Sequence, residues 1–458
     1  METGHGWAVQ AFGDAQLGDE RRTRRLVKLA AGLHARPAGR LTRVYKNAAE
    51  RQAAFRFVEN RRIDPDAIAS ASHRAAARLC GSEHVVYVPV DSSSLVMTDL
   101  QNNKFGRIGS FNDTTNRGMI AMTALAVDLQ GTTLGTTALE WWVRGEQRCP
   151  EWTVDRRLPE QRESSLWGRA IRNTLRVMAA HSPQCTPWFQ MDRAADCAVV
   201  LFMAHEQSLL VTVRANHNRA IGSTRLWPLM QKQPVLGELR TRLPAIDDRP
   251  ARTARLQVRA KKLRFQVANG QDQRRRQGRR WVELTAVYVT ENAPGSGGIE
   301  WMLWTTHPVL DISDAREVVR GYMLRWRVED FHRAWKSGGC DIESSQLRSV
   351  SALQRWAAIS AAMAARAEHL KHRSRAEPEL DAEVELTRDE IDAAIILTRT
   401  TKHRVGEKLT LQQAVWLIAQ IGGYTGKSSG GPPGAETIGR GLRDVATAAI
   451  VLATTRSG

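Results

Sequence analysis

Nowhere among the 458 residues does a run of apolar side chains approach the roughly 18 needed for a helix to cross a bilayer. The opening METGHGWAVQ lacks the basic-then-apolar order of an export signal. A soluble, cytoplasmic protein with no membrane partner is therefore expected. Cysteine is scarce: Cys80, Cys149, Cys185, Cys197 and Cys340 are odd in number, scattered and free of CxxC spacing. That excludes a disulfide framework and a cysteine zinc site, and suits a reducing compartment. Internal repeats and long low-complexity segments are absent as well. Acidic residues are in deficit, 48 against 66 basic, which leaves a net charge of +18 and a pI near 10.3. Such a balance points to a polyanionic partner. The arginines are spread over several folded segments rather than along one amphipathic helix, so nucleic acid is favoured over a membrane surface. The length predicts two or three domains with at least one sizeable core.

What the chain does have is concentrated in Tyr322–Lys336, YMLRWRVEDFHRAWK. Tyr322, Arg325, Glu329 and Lys336 stand at offsets 0, 3, 7 and 14. At about 100° per residue these fall within roughly 60° on one helix. Arg333 lies close beside them. One face thus carries a phenol, a guanidinium, a carboxylate and an ammonium. A lone carboxylate among cations suits a site that holds a divalent metal and grips phosphates. Asp330 is turned about 100° away from that face, so Glu329 is the expected ligand.

The first 70 residues read as a small helical module. LGDERRTRRLVKLAAGL (Leu17–Leu33) is a helix dense in arginine at its start, RLTRVYKN a basic loop, and AAERQAAFRFVEN (Ala48–Asn60) a second helix. Two helices with a basic connection suit a DNA-docking element. DPDAIASASHRAAARL then connects to a strand-rich run. HVVYVPVD ends an apolar strand on Asp91, and TPWFQMD ends another on Asp192, with a helix expected from about Ala194. Together with MIAMTALAVD, TTLGTTALEWWVR and LLVTVRAN these predict an α/β sheet of about five strands, with acids at strand ends. Residues 219–298 change character: alternating strands and the Arg274–Arg280 cluster suggest an antiparallel insertion with long basic turns. From Cys340 the pattern is helical to about Arg373, followed by an acidic linker (Glu377–Glu385) and further helices.

Asp91, Asp192 and Glu329 are three carboxylates, each on a rigid element beside apolar sequence. Two metal ions about 3.5–4 Å apart can activate an attacking oxygen and stabilise a leaving one at phosphorus. Hard oxygen ligands suit that task, which is why Asp and Glu stand here rather than Cys or His. Read singly, Asp91 also fits a strand-end turn and Asp192 a helix cap.

On these residues the chain resembles the bacterial cut-and-paste DDE transposases of the insertion-sequence-four group, its transposon-five branch above all. Tyr322, Arg325, Glu329 and Lys336 match the family's Y-R-E-K signature at full spacing. LGDERRTRRLV, FRFVEN, VDSSSL, GSFNDTTNRG, EWWVR, DRAAD, VRANH and IEWMLW continue the likeness over most of residues 10–345. The resemblance implies an α/β fold with a ribonuclease-H-like catalytic core (71–372) carrying the antiparallel insertion. A helical domain that binds transposon ends (1–70) and a helical dimerisation domain (373–458) would flank it. It implies that Asp91, Asp192 and Glu329 are the catalytic triad, holding two Mg²⁺ ions for which Mn²⁺ can substitute. Tyr322, Arg325, Arg333 and Lys336 would hold phosphates of the end DNA, Arg214 would join them, and Trp301 would stack on a flipped base. Arg22 and Arg25 would bind the ends. The implied activity is excision through a hairpin intermediate and joining of 3′ ends to target DNA. A homodimer would do this on paired ends at the nucleoid, with no small-molecule cofactor. Two other readings stay open: a catalytically silent DNA-binding regulator descended from a transposase, and a metal-dependent endonuclease without strand transfer. Ala194 departs from the pattern, standing where the resembled sequences carry an acid.

Overall fold

A computed structural model describes residues 3–99, 104–108, 116–144, 162–243, 251–268, 279–291, 298–426 and 431–456. Most of GSFNDTTNRG and all of Arg274–Arg276 lie outside the described residues. Five helices come first: α1 (Thr3–Phe12), α2 (Glu20–Ala35), α3 (Leu41–Val44), α4 (Ala48–Val58) and α5 (Pro65–Leu79). Next come β1 (Val85–Val96), β2 (Gly106–Arg107), β3 (Arg117–Val127), β4 (Thr133–Trp142), α6 (Ser165–His181), β5 (Thr186–Met191), α7 (Ala198–Glu206) and β6 (Leu210–Arg214). A β-rich stretch follows with β7 (Ala220–Ile221), β8 (Thr224–Arg225), α8 (Leu226–Gln231), β9 (Gly237–Leu243), β10 (Arg252–Ala268), β11 (Arg279–Glu291) and β12 (Glu300–Thr305). The last helices are α9 (Ile312–Leu324), α10 (Arg327–Lys336), α11 (Val350–Ala376), α12 (Arg388–Thr398), α13 (Leu411–Ile421) and α14 (Ala435–Arg456).

Side-chain caps set several of these boundaries. The arginine-dense helix begins at Glu20 rather than Leu17, because Asp19 caps it by accepting from the Arg21 N–H at 2.9 Å. Asn47 does the same for α4, accepting from the Ala49 N–H at 2.8 Å. Within the expected basic loop, Leu41–Val44 forms a short helix whose Leu41 and Val44 are buried. The first helix, α1, was not legible as such.

Ten strands form one sheet, where about five were expected. Five of them, in spatial order β4-β3-β1-β5-β6, make its centre: β4, β3 and β1 are antiparallel, and β1, β5 and β6 run parallel. That is the order of a ribonuclease-H-like core. The expected insertion does not stand apart from it. β12 pairs antiparallel with β6, and β11, β10 and β9 continue outward, so the insertion extends the same sheet.

Each face of the central five strands is covered. Val86, Val88 and Val90 of β1 pack with Phe189, Leu166 and Ile171 on one side. Tyr87 and Leu95 of the same strand, set off by the period of two, join the other core with Val318, Val328, Phe331 and Trp335. That second core continues without a break into the N- and C-terminal helices. α11 is the spine: Trp356 donates its indole N–H to the Gly39 carbonyl at 2.7 Å, and Arg355 donates to the carbonyls of Ile63 and Val58. The stretch expected as an acidic linker is anchored, since Glu385 pairs with Arg366 and His369 on α11.

Tyr322–Lys336 is not one helix. α9 ends at Leu324 and α10 starts at Arg327. Between them the Arg325 and Val328 N–H groups bond back three residues, to Tyr322 and Arg325, instead of four. Such a tightened turn redirects the axis, so the simple angular sum overstates how far Lys336 shares a face with Tyr322. Gly321 lets α9 lie directly on the sheet: a Cβ there would come within 2.5 Å of the Tyr87 ring.

Candidate active site

Register brings the first two acids together. In the parallel ladder Val90 of β1 lies opposite Met191 of β5, so Asp91 and Asp192 are the next pair along. They sit side by side on neighbouring strands, where backbones are about 4.8 Å apart; β5 ends just before Asp192, whereas β1, expected to end on Asp91, runs on to Val96 because it stays paired with β3. Asp192 also caps a short 3₁₀ turn, accepting from the Ala194 N–H at 2.9 Å. The cap reading and the site reading of this residue are therefore compatible; the expected helix itself starts later, at Ala198.

Glu329 arrives from α10, which packs on β1 and β3. His332 bonds to the Thr123 hydroxyl at 3.2 Å, and Thr123 is the ladder partner of Asp91. Burial pushes the His332 imidazole down to about 3, with Lys336 adding to the effect, so it is neutral in this contact. Arg325 closes the arrangement. Its Nη1 donates to Asp91 Oδ2 at 3.1 Å and its Nη2 to Glu329 Oε1 at 2.9 Å. The guanidinium thus bridges two of the three acids. Asp91 Oδ1 meanwhile accepts from the Ser92 N–H at 2.7 Å.

Electrostatics link the third acid to these two. Burial raises the Asp91 carboxyl, and the negative charge of Asp192 raises it further. Arg325 and the Ser92 N–H oppose them, Glu329 adds a smaller push upward, and the result is about 7. A carboxyl held this high lacks enough positive charge around it. The donor set is three hard carboxylates, so it fits a hard divalent cation.

The remaining cations and aromatics are arranged around this centre. Tyr322 is buried, with Arg325 and Arg214 near its phenol, which burial nonetheless raises. The Trp301 ring meets that of Tyr322 edge-on, with centroids 5.3 Å apart. Arg214 donates to the Glu300 carbonyl at 3.1 Å. Arg333 is largely exposed, 3.7 Å from Asp330. Lys336 faces Glu343 at 3.5 Å rather than the three acids, and Glu343 in turn accepts from the Val96 N–H at the end of β1. Arg22 and Arg25 lie on α2, in the N-terminal helices. Arg25 is exposed, whereas Arg22 is partly committed to the Leu17 carbonyl at 2.8 Å.

One cluster escaped the sequence reading. Asp330 of α10 and Glu368 and His372 of α11 offer ligand atoms within 4.8 Å of one another. Their cationic position is filled from within: Lys371 pairs with Glu368 and lies 3.7 Å from Asp330. The signal was EHLKH inside an otherwise apolar helix, legible only once α11 is known to be buried.

An α/β core of this topology presents clustered carboxylates beside arginine and tyrosine, a donor set that fits a hard cation next to a polyanion. Three family models match the chain. One is described as transposase DNA-binding, over residues 5–63. The second is the transposase DDE domain, over residues 197–365, which takes in Glu329 and begins beyond Asp91 and Asp192. The third is the transposase Tn5 dimerisation domain, over residues 362–457. The chain belongs to the Tn5-like DDE transposases. DNA and a second copy of the chain are accordingly its partners, and domains of the DDE kind generally use divalent metal ions. Among the described residues, no helix is long and apolar enough to cross a membrane.

Proposed function

We propose that the protein excises a DNA element from its surroundings and joins the element's 3′ ends to target DNA, using Asp91, Asp192 and Glu329 at a single active site. The observation that carries this is the convergence of the three acids, with Asp91 driven up to about 7 partly by the charge of the other two. Asp91, Asp192 and Glu329 would hold Mg²⁺, two ions with Mn²⁺ as substitute, which would supply activation of the attacking oxygen and neutralisation of the leaving one.

The chain's own residues orient the DNA. Arg325 holds Asp91 and Glu329 at a fixed separation and turns its remaining N–H groups toward a phosphate. Arg333 and Lys336 grip phosphates further along α10, and Tyr322 and Arg214 do so beside β6. Trp301, braced edge-on by Tyr322, takes a base turned out of the duplex, which compensates for its lost stacking. The reaction order is hydrolysis of one strand to free a 3′-hydroxyl, attack of that hydroxyl on the opposite strand to give a hairpin, and opening of the hairpin by water. Attack on the target follows. Each is a phosphoryl transfer, so one site serves all of them. Residues 1–70 bind the ends, 71–372 carry the chemistry and 373–458 pair two subunits in the bacterial cytoplasm, although α5 and α11 run across both boundaries.

The test is a linear duplex carrying the element's ends in their flanking DNA, incubated with and without Mg²⁺ and resolved on a denaturing gel. Metal-dependent release at the ends through a transient hairpin is expected. Asp192→Ala and Glu329→Ala should remove cleavage and keep end binding, and Trp301→Ala should slow hairpin formation more than nicking. Tight end binding by the unmodified protein with no cleavage in either metal would instead establish the silent DNA-binding reading. Cleavage without joining would establish the endonuclease.

A further inference from the structure

The outer half of the β10–β11 hairpin carries a feature that the acid site does not use. β9 pairs with β10 only over Arg252–Val258. Beyond that point, among the described residues, β10 continues with β11 alone, through Ala268 opposite Arg279. One side of this outer half is buried: Leu263, Phe265, Val267, Val282 and Leu284 pack over α7 and α8. The other side is open. Lys262, Arg264, Gln266, Arg279, Trp281 and Glu283 are all exposed on it, Trp281 by 50%. The Arg264 guanidinium lies over the Trp281 ring, 4.9 Å from its centroid, and Lys262 pairs with Glu283 at 2.7 Å. Three cations against one acid, around a half-exposed indole, make a basic and aromatic strip. Tryptophan is seldom left this open on a sheet without a partner.

Its position says which partner. Along β11 the side chains of Trp281, Glu283, Val287 and Val289 share one side by the period of two. Val289 is the ladder partner of Trp301, which touches Tyr322 at the acid site. The strip is therefore the outward continuation of the surface on which the acids lie. The registers set the acids level with Val287, so Trp281 lies six residues along β11 at roughly 3.4 Å each and four strands across at about 4.8 Å each, about 28 Å from Asp91 in all, the length of about eight base pairs. The N-terminal and C-terminal helices lie at the opposite edge of the sheet: α5 and α11 pack on β4, and α14 packs on α2. Element-end DNA held by the N-terminal helices of the same chain would reach the acids from that edge.

We propose that the Arg264–Trp281 strip binds the duplex flanking the element, on the far side of the phosphate to be cut and about eight base pairs from it. The proposal rests on the transposase reading. Arg264 and Lys262 neutralise phosphates, and Trp281 gives a flat apolar surface against the sugar edge, with the Arg264 stack holding it in place.

The test measures binding, so it is separate from catalysis. Full-length protein in chelator is titrated with two labelled duplexes carrying the element's terminal sequence. One stops at the cleavage point and the other continues through 15 base pairs of flank, and each is measured at several salt concentrations. The unmodified protein should bind the flanked duplex more tightly and with a steeper salt dependence. In Arg264→Ala/Trp281→Ala that advantage should disappear, the slope for the flanked duplex should fall by about one, and binding to the short duplex should stay unchanged. Hydroxyl-radical protection about eight base pairs into the flank should vanish with it. Equal loss on both duplexes would move the contact to the element side and overturn the proposal. No change on either would leave the strip as a charged guard on an unpaired strand edge, which also overturns it. If the unmodified protein bound the flanked duplex no better than the short one, the proposal would be wrong whatever the variant did. A failed transposase reading would show separately, as absence of cleavage when Mg²⁺ is added.

Discussion

Replacing Asp91 by Asn should make the metal-free protein more stable while removing its activity. In the fold Asp91 is held at about 7 against an ordinary 3.8, first by burial and then by Asp192. A raised carboxyl means that the folded state binds the proton more tightly than the unfolded chain does. Stability is therefore highest when the group is protonated in both states. It falls as pH rises from about 4 to about 7 and is level above that. At about 1.4 kcal/mol per pH unit the full penalty is about 4 kcal/mol. The net gain is smaller, because the Asn amide oxygen keeps only a neutral hydrogen bond where Arg325 now meets a charge at 3.1 Å. A gain of about 1–3 kcal/mol is expected at pH 8 in chelator. The assay is thermal unfolding of the Asn variant and the parent at pH 8 and pH 5.5. The variant's advantage should be several degrees at pH 8 and should shrink at pH 5.5. A variant less stable than the parent at pH 8 would refute the reasoning, since it would mean that Arg325 already neutralises the acids and leaves nothing for a metal to relieve.

Three further outcomes test other parts of the structure. Arg25→Ala should weaken binding to element ends and lower its salt slope by about one; Arg22→Ala, partly committed to the Leu17 carbonyl, should change the slope less and the unfolding temperature more, and the reverse order would refute the assignment. Burial acts to raise Glu385, but His369 and Arg366 outweigh it and hold it at about 2, against 4.5 ordinarily. The stabilisation is present above pH 4.5 and lost as pH falls through 2, so Glu385→Gln should cost about 1–3 kcal/mol at pH 7 and about a quarter of that at pH 2.5, read by denaturant unfolding at the two values. Gly321→Ala should cost about 1–3 kcal/mol and slow cleavage by displacing α9 from Tyr87; unchanged stability with unchanged cleavage would show that the helix can move freely there.

The acids were legible one at a time. Asp192 follows directly on an apolar strand, and Asp91 marks where β1 turns from apolar to polar side chains, although the strand itself runs on to Val96. Glu329 was legible from its spacing to Tyr322 and Arg325. What could not be read was the turn at Arg325–Trp326, because the switch from four-residue to three-residue bonding leaves no mark on side-chain order. The consequence fell on Lys336, which reached Glu343 instead of the acids. Asn47 gave α4 a start that could be read at Ala48, whereas the Asp19 cap moved the start of α2 from the expected Leu17 to Glu20; α1 and the short turn at Leu41–Val44 lack the periodic signal that longer helices provide.

Local chemistry is written along the chain: charge, strand alternation, caps and the identity of the three carboxylates follow from the order of residues, because each depends on neighbours a few positions away. Three arrangements depended on packing between distant segments. The parallel register of β1 with β5 made Asp91 and Asp192 adjacent, across about a hundred intervening residues. Burial, and the charge of Asp192 beside it, then pushed an ordinary aspartate up to about 7. Extension of the sheet by β12, β11 and β10 carried Trp281 and Arg264 onto the same surface as the acids. Register, desolvation and sheet order are sums over contacts remote in sequence, and those exist only once the chain has closed on itself.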